Sequence, residues 1–279
     1  MAALLSAALQ AGIEVEFVCS VIQRRHLRPE SPDIDQWPWP VRLYVLGRFS
    51  VVINGEPLTF SGKAQKKPLA LLQALIALGG RDVDETLLAE LLARDDEGAT
   101  LQPLGMTLLR LRKLLGHADA VTLSRGKMSL NPDLCWVDAW TFERSLNAPP
   151  QECADQAALE QTLALYCGQF LAREAAQPWM LTVRERLHTK YLRALLALGR
   201  WWEDEQQWGS AAHCYQRGLE TDPLTEELYR RLMICHERQG EPAEGMKVYQ
   251  SCKRMLSMLL GVIPSAETEA VRERLMRGS

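Results

Sequence analysis

Hydrophobic and polar residues alternate along the segment VRLYVLGRFSVVIN, which starts at Val41. Alternation is the spacing of a strand with one buried face, and the apolar positions here are Leu43, Val45, Phe49, Val51 and Ile53. Asn54-Gly55 follows directly and is typical of a tight hairpin turn, so the next residues, EPLTF, predict a return strand. This part of the chain is therefore expected to form a small antiparallel sheet.

Leucine and isoleucine side chains then recur every three or four residues, the spacing of an amphipathic helix, in three successive segments. The predicted helices cover residues 64–78, 84–92 and 103–115. Beyond them, two short strand-like runs flank Arg125-Gly126-Lys127 and predict a second hairpin. A sheet, three helices and a closing hairpin follow one another in this order in winged helices of the response-regulator type.

Helical spacing continues beyond the proline pair at 149–150. The predicted helices cover residues 152–168, 179–204, 207–220, 224–239, 242–260 and 265–277. Tyr215-Gln216 is echoed by Tyr249-Gln250, and this separation of 34 residues is the period of tetratricopeptide repeats. Because helix pairs of this kind cannot bury their apolar faces singly, the segment predicts a stacked array with a concave protein-binding surface.

Two short amphipathic helices are predicted within residues 1–28. The sequence offers them little to pack on, so we interpret them as the helical tail of a preceding region. Residues 29–40 contain four prolines, cannot continue a helix and predict a linker. The chain is thus expected to be mainly α, with a small α+β winged-helix domain at 41–148 and a tetratricopeptide-like helical repeat domain at 149–279.

The charge and cysteine content narrow the function classes. The formal net charge is −3, and 41–148 is the only segment in which Lys and Arg, 13 in number, exceed Asp and Glu, 12 in number. With so small an excess, DNA binding would depend on local clusters and on more than one copy of the chain. The seven cysteines are scattered, which indicates reduced, mostly buried thiols and no metal site. Without a membrane-spanning window or a secretory signal, the protein is expected to be cytoplasmic and to bind no membrane.

No catalytic arrangement is found in the sequence. Ser61-Gly62-Lys63 is similar to the end of a phosphate-binding loop, but Pro57 stands where the first glycine is required and Ala64 replaces the magnesium-binding hydroxyl. The five histidines lie at no spacing typical of a catalytic triad. We therefore expect a protein that is not an enzyme and uses no cofactor.

From Val41 onward the chain resembles the SARP-like family of bacterial transcriptional activators. The stretches that carry the resemblance are VRLYVLGRFSVVINGEPL, SGKAQKKPLALLQALIALGGRDV, LLRLRKLLG, LSRGKMSLNPDLCWVDAWTFE, DPLTEELYRRLM and LGVIPSAETEAV. The resemblance implies a response-regulator-type winged helix joined to a bacterial transcriptional activator domain. The first forty residues look like the junction to a sensor region, as in large signal-transduction ATPases that end in such a module.

In a winged helix of this type the third helix enters the major groove of DNA, and the hairpin contacts the backbone or the minor groove. With the leucines of the third helix facing the core, its opposite face is expected to bind promoter DNA. The DNA-binding residues expected are Gln102, Met106, Leu109, Arg110, Arg112 and Lys113 in this helix, Arg125 and Lys127 in the hairpin, and Lys63, Lys66 and Lys67 at the start of the first helix. The alternative is that each of these charged side chains is only a solvated surface residue without a role in DNA binding.

The recognition helix departs from the family pattern. Pro103 and Gly105 stand where relatives usually have alanine, and Met106 and Leu109 stand where polar residues are expected. Pro103 is tolerable if a preceding residue caps the helix. An outward apolar pair can contact a thymine methyl group, but it is also typical of a protein interface.

Two functions remain open on the sequence. In the first, a homodimeric transcriptional regulator binds promoter DNA through its winged helix, while the helical repeats mediate dimerisation, relay a signal or bind a protein partner. In the second, a degenerate winged helix and the repeats form a protein-interaction or signalling module without specific DNA binding. Asp95, Asp96 and Glu97 lie where the family contacts RNA polymerase, and they equally fit a solvated loop.

Overall fold

The computed structural model describes residues 1–25, 27–29, 36–59, 65–93, 104–147, 156–174 and 177–277. Contacts between Cα atoms divide the chain into two compact units. The first unit comprises Met1–Ala148 and Leu165–Leu187, and the second comprises Pro149–Ala164 and His188–Ser279. The segment Leu165–Leu187 therefore groups with residues that precede the proline pair.

The first unit combines short helices with two small sheets. Its α-helices up to Asn147 are α1 (Ala2–Gln10), α2 (Val15–Arg24), α3 (Lys66–Ala77), α4 (Glu85–Ala93), α5 (Gly105–Leu115) and α6 (Asp138–Asn147). Its strands are β1 (Val41–Tyr44), β2 (Ser50–Ile53), β3 (Glu56–Pro57), β4 (Val83–Asp84), β5 (Val121–Ser124), β6 (Lys127–Leu130) and β7 (Cys135–Val137). One sheet has the order β3-β2-β1-β7, and the other has the order β4-β6-β5. The three predicted central helices and the second hairpin are confirmed.

The prediction of one long strand starting at Val41 is wrong, because the chain folds back on itself within it. β1 and β2 pair antiparallel, with Leu43 opposite Val51. In the turn between them Gly47 has a φ of 85°, and a Cβ there would lie 2.6 Å from the carbonyl oxygen of Cys167. Only glycine fits such a position. The alternating pattern predicted a single strand because Val45 is buried, as an inward residue of a strand would be. Val45 belongs to the turn and not to a strand.

A buried carboxylate holds this turn in place. Asp138, the first residue of α6, is 2% exposed. It accepts hydrogen bonds from the backbone N–H groups of Val45 at 2.9 and 3.0 Å, Leu46 at 3.0 Å and Ala139 at 2.7 Å. The preceding strand, β7, pairs parallel with β1. Neither β7 nor α6 was predicted from the sequence, and within the predicted return strand EPLTF residues Glu56–Pro57 form β3.

The two N-terminal helices have a substantial surface to pack on, contrary to the expectation from the sequence. They share one buried cluster with three tryptophans, and its members are Leu9, Val18, Ile22, Trp37, Trp39 and Trp136. Trp136 is the central residue of β7, whereas Trp37 and Trp39 come from the proline-rich stretch. That stretch therefore supplies core side chains in addition to connecting elements.

The described residues of the second unit form helices and the short connections between them. It contains α7 (Gln156–Ala164), the part of α8 (Pro178–Asp204) that starts at His188, α9 (Trp208–Thr221), α10 (Glu226–Gln239), α11 (Pro242–Leu260) and α12 (Ala266–Arg277). Successive helices from α9 to α12 contact one another. The predicted helices are confirmed with small shifts of their ends, except that the helix predicted at 152–168 already ends at Ala164.

Tyr215 and Tyr249, which lie 34 residues apart, occupy equivalent packing positions in two helices. Tyr215 and Tyr249 are the eighth residues of α9 and α11, and both are buried. The Tyr215 hydroxyl donates a hydrogen bond of 2.7 Å to Glu203, and the Tyr249 hydroxyl donates one to Glu269. Burial, together with its carboxylate partner, raises the pKa of Tyr249 to about 12. The tetratricopeptide-like character of this unit is thus visible in its side chains.

Most described cysteines are buried and all are free thiols, as predicted. The buried thiols are those of Cys135, Cys214, Cys235 and Cys252. Burial raises the pKa of Cys214 to about 11 and the pKa of each of the other three to about 12. Within the described ranges, no helix has both the length and the apolar character needed to cross a membrane, and no three His, Cys, Asp or Glu side chains are placed to hold a metal ion.

Candidate nucleic-acid interface

Helix α5 buries one edge and exposes the other. Its leucine edge lies in the core, with Leu108 at 3% exposure and Leu111 and Leu115 at 0%, and the preceding Leu104 is buried as well. This is the edge that the helical spacing predicts to be buried. The side chains on the opposite face are therefore available to a partner.

The outward face of α5 is a mixture of apolar and cationic side chains. Met106 is 63% exposed and Leu109 is 58% exposed, and Arg110 and Lys113 are exposed beside them. Arg110 and Lys113 are three residues apart, so both cations lie on one side of the helix. This face can contact phosphate or guanine through its charges and a methyl group through its apolar pair.

Arg112 has a different role from its neighbours. It is half-buried, and its Nε donates a hydrogen bond of 2.8 Å to the carbonyl oxygen of Val121, the first residue of β5. A guanidinium anchored in this way fixes helix α5 against the hairpin. Arg112 therefore holds together the two elements that are expected to contact DNA. This contribution could not be predicted from the sequence, because the acceptor is the backbone carbonyl of Val121 and not a side chain.

The hairpin presents its charges at the tip. Arg125 and Gly126 have φ values of 52° and 74°, as in the tight turns that suit two-residue hairpins. Both Arg125 and Lys127 are exposed. Lys127 lies opposite Asp84 of β4, whose pKa is lowered by hydrogen bonds with Thr86 and, to a smaller extent, by Lys127. Because Asp84 offsets part of the Lys127 charge, Arg125 is the stronger cationic position of the hairpin.

Two lysines begin α3, which packs against α5. Lys66 and Lys67 are exposed, and the first turn of α3 contains no acidic residue. Cations are unfavourable beside the positive end of a helix dipole, whereas a phosphate group is favourable there. This helix start is therefore suited to an anionic partner. Lys63 and Gln102 lie outside the described residues, as do Asp95, Asp96 and Glu97.

Helix α5 begins at Gly105, two residues later than the predicted start at Pro103, which itself lies outside the described residues. Leu104 occupies the N-cap position and provides no side-chain hydrogen bond. The glycine is exposed, and a Cβ at this position would have no atom within 4 Å. The start of α5 is therefore weakly stabilised.

Gly105→Ala is expected to raise the free energy of unfolding by about 0.5 kcal/mol, because alanine restricts the unfolded chain and meets no obstacle in the helix. Urea unfolding measures the change. Gly126→Ala is the matched control, since it also meets open space but has a φ of +74°; we expect it to destabilise by about 1 kcal/mol. A loss of stability in Gly105→Ala would contradict this account of the helix start.

Comparison with known proteins identifies the family. The bacterial transcriptional activator domain matches residues 137–276, slightly more than half of the chain. The chain belongs to the bacterial transcriptional activator domain family. The matched family segment starts at the end of β7, so it includes α6 and the carboxylate that holds the β1–β2 turn.

Curated relatives of this family member are regulators from streptomycetes. Regulatory protein AfsR of Streptomyces griseus is 28% identical over 273 residues, which cover 88% of this chain and 26% of the relative. Regulatory protein AfsR of Streptomyces coelicolor is 27% identical over 257 residues, covering 90% of this chain and 26% of the relative. The chain thus spans about a quarter of the length of these relatives. The SARP-like resemblance is confirmed.

A solved structure shares the fold of this family member. It is Mycobacterium tuberculosis EmbR in complex with a low affinity phosphopeptide, with a TM-score of 0.65 and 18% sequence identity. The similarity covers 86% of this chain and 65% of the EmbR chain. The predicted fold class, mainly helical with a small winged-helix domain and tetratricopeptide-like repeats, is confirmed.

Proposed function

We propose that this chain is a transcriptional regulator that binds promoter DNA through its winged helix. The observation that carries the proposal is the outward face of α5, where Arg110 and Lys113 are exposed opposite a buried leucine edge. A helix of this kind fits the major groove, and its cations supply the electrostatic part of the affinity. Family membership supports the same function.

The attachment of α5 to the hairpin supports a two-point contact with DNA. The hydrogen bond between Arg112 and Val121 joins the recognition helix to β5, which leads directly to the cationic tip at Arg125. A helix and a hairpin that are held together lose little conformational freedom on binding. The lysines at the start of α3 would then contact the phosphate backbone.

We propose a separate role for the helical repeats of the second unit. They would mediate dimerisation, relay a signal or bind a protein partner, because stacked repeats present extended surfaces. Two copies of the winged helix on a repeated site would compensate for the small positive charge of a single copy. Contact of the acidic residues 95–97 with RNA polymerase stays a prediction.

Fluorescence polarisation with duplex DNA from the region upstream of neighbouring genes, at two salt concentrations, tests DNA binding. We expect Arg110→Ala and Lys113→Ala each to weaken binding roughly tenfold and to reduce the salt slope by about 1, as for a lost phosphate contact. Lys253→Ala is the matched control, because it removes one exposed cation from α11. DNA binding that is the same in all three variants would contradict the proposed interface.

A second function is favoured by the exposed apolar pair Met106 and Leu109, at 63% and 58% exposure. In that case the winged helix is a protein-interaction module that no longer binds specific DNA, since outward apolar residues also mark protein interfaces. The same titration separates the two functions. Absence of binding at both salt concentrations would favour the interaction module, whereas salt-dependent binding that is lost in Arg110→Ala would favour the regulator.

A further inference from the structure

Helix α5, which the structure describes in full, exposes no amide, hydroxyl or carboxylate side chain. Its exposed residues are Gly105, Met106, Leu109, Arg110 and Lys113. In the major groove, adenine is usually contacted by Asn or Gln, and the amino group of cytosine by Asp or Glu. The exposed face of α5 lacks these side chains. It can contact guanine through a cation and the methyl group of thymine through an apolar side chain.

Two further polar residues of α5 are half-buried and lie off this face. Thr107 directly follows Met106, so its side chain points about 100° around the helix from that of Met106. The Nε of Arg112 already donates to the Val121 carbonyl at 2.8 Å. The exposed face of α5 therefore consists of one apolar pair and two cations.

The apolar pair and the two cations occupy different parts of α5. Met106 and Leu109 are its second and fifth residues, whereas Arg110 and Lys113 are its sixth and ninth. When a helix of this kind lies in the major groove, its amino-terminal residues contact the base edges. Base contacts would therefore fall mainly to the apolar pair. The cations would supply an attraction to phosphate groups that does not depend on the DNA sequence.

The charge of α5 favours DNA over an apolar protein surface as the partner of the exposed pair. The helix contains three cations and no acidic residue. An apolar protein surface would desolvate Arg110 and Lys113 without offering a counter-charge, which is unfavourable. DNA presents phosphate groups along the edges of the groove in which the apolar pair would lie. Both parts of the exposed face then have a partner of matching chemistry.

The spacing of the apolar pair matches the stacking of base pairs. Met106 and Leu109 are three residues apart, so they share one side of the helix and are separated by about 4.5 Å along its axis. Successive base pairs are roughly 3.4 Å apart. The two side chains can therefore reach neighbouring base pairs. A thymine methyl group buried there is favourable, whereas the polar edge of any other base would be left without a hydrogen-bond partner.

We propose that Met106 and Leu109 determine the DNA sequence preference of this chain by contacting the methyl groups of two thymines in the major groove. The inference rests on the proposed DNA binding and deepens it by naming the base chemistry that α5 selects. Specificity comes from burial of methyl groups and from exclusion of polar base edges. The apolar residues at these two positions thus change which bases the helix selects, while the cations keep its affinity for DNA.

Selection from a random duplex library with the 279-residue chain, followed by fluorescence polarisation, tests this preference. We expect the selected duplexes to share thymines, on either strand, at neighbouring base pairs. Replacing one of them by deoxyuridine, which lacks only the methyl group, should raise the dissociation constant roughly fourfold, the effect of one methylene-sized group that is no longer buried. Deoxyuridine in place of a thymine outside the shared positions is the matched control and should change the affinity little.

Variants of the chain assign the preference to the apolar pair. Met106→Ala combined with Leu109→Ala should bind the thymine and deoxyuridine duplexes equally, because the shortened side chains no longer reach the methyl groups. Arg110→Ala should weaken binding to both duplexes and keep their ratio. Leu181→Ala is the matched control, since it removes a leucine that is 51% exposed from another helix of the same unit. Circular dichroism checks that each variant keeps its helix content.

The outcomes separate this inference from the proposed function. Salt-dependent binding with equal affinity for thymine and deoxyuridine duplexes would overturn the inference and leave the proposed DNA binding in place. Discrimination that persists when both Met106 and Leu109 are alanine would also overturn it, because other residues would then contact the methyl groups. Absence of binding to any duplex at either salt concentration would overturn the proposed function, and this inference with it.

Discussion

Gly80→Ala is expected to lower the free energy of unfolding by about 3 kcal/mol, through overpacking and an unfavourable backbone angle. A Cβ on Gly80 would lie 2.0 Å from Cη2 of Trp140 in α6, and the φ of Gly80 is +67°. Neither partner can move easily. The Trp140 indole N–H donates to the Ile76 carbonyl at 3.3 Å, and the Gly80 carbonyl accepts from the Leu130 N–H at 2.8 Å. Urea unfolding followed by tryptophan fluorescence measures the loss.

The neighbouring glycine provides the control. Gly79 has a φ of +90°, but a Cβ there would meet no atom within 4 Å. Gly79→Ala therefore tests the backbone angle without the collision, and we expect a loss of about 1 kcal/mol. Equal losses in the two variants would show that the contact between Gly80 and Trp140 contributes little.

Asp138→Asn should lower the free energy of unfolding by about 2 kcal/mol at acidic pH, because the amide nitrogen cannot accept a hydrogen bond from a buried N–H group. In the wild type both carboxyl oxygens accept from the backbone of the β1–β2 turn or of α6. When Asp138 is protonated its hydroxyl oxygen can still accept, whereas the amide nitrogen of Asn only donates. Asp119→Asn, at an exposed position in the same unit, is the matched control and should change the stability little.

The contribution of Asp138 to the free energy of unfolding depends on pH with a definite sign. Burial outweighs the three backbone N–H groups and raises the pKa of Asp138 to about 7 from an ordinary value near 3.8. The folded chain then holds one more proton than the unfolded chain between about pH 4 and 7, so this contribution to stability decreases as the pH rises, by at most about 1.4 kcal/mol per pH unit. The stability of the wild type relative to Asp138→Asn should therefore fall over that range, from an advantage of about 2 kcal/mol at the acidic end to a disadvantage near pH 7. A wild-type advantage that grows would mean that the N–H groups outweigh burial.

The sequence predicted local elements well wherever the spacing of apolar residues decides them. The buried edge of α5 and the hairpin at Arg125 follow from periodicity and from a two-residue turn, and both depend on neighbouring residues. The same reasoning failed at residues 41–54, because buried Val45 keeps the alternation through a turn. What holds that turn, Asp138, is more than ninety residues away in the chain.

The candidate site was predictable as a set of residues but not as an arrangement. Exposure of Met106, Leu109, Arg110 and Lys113 follows from helical spacing once the leucine edge is buried. The hydrogen bond from Arg112 to the Val121 carbonyl does not follow from helical spacing. Every residue has a backbone carbonyl group, and no sequence pattern indicates which one accepts the bond. β7 could not be predicted from the local sequence either, since its three residues pair with β1, which lies far earlier in the chain.

The buried thiols give each unit a chemical reporter of its own. Cys135 lies in the first unit, and Cys214, Cys235 and Cys252 lie in the second. The thiolate is the nucleophile that attacks a thiol reagent, so these side chains react only when local opening admits water and lets the proton leave. Labelling kinetics followed by peptide mass mapping would thus measure the rate of local opening in each of the two units separately within one intact chain.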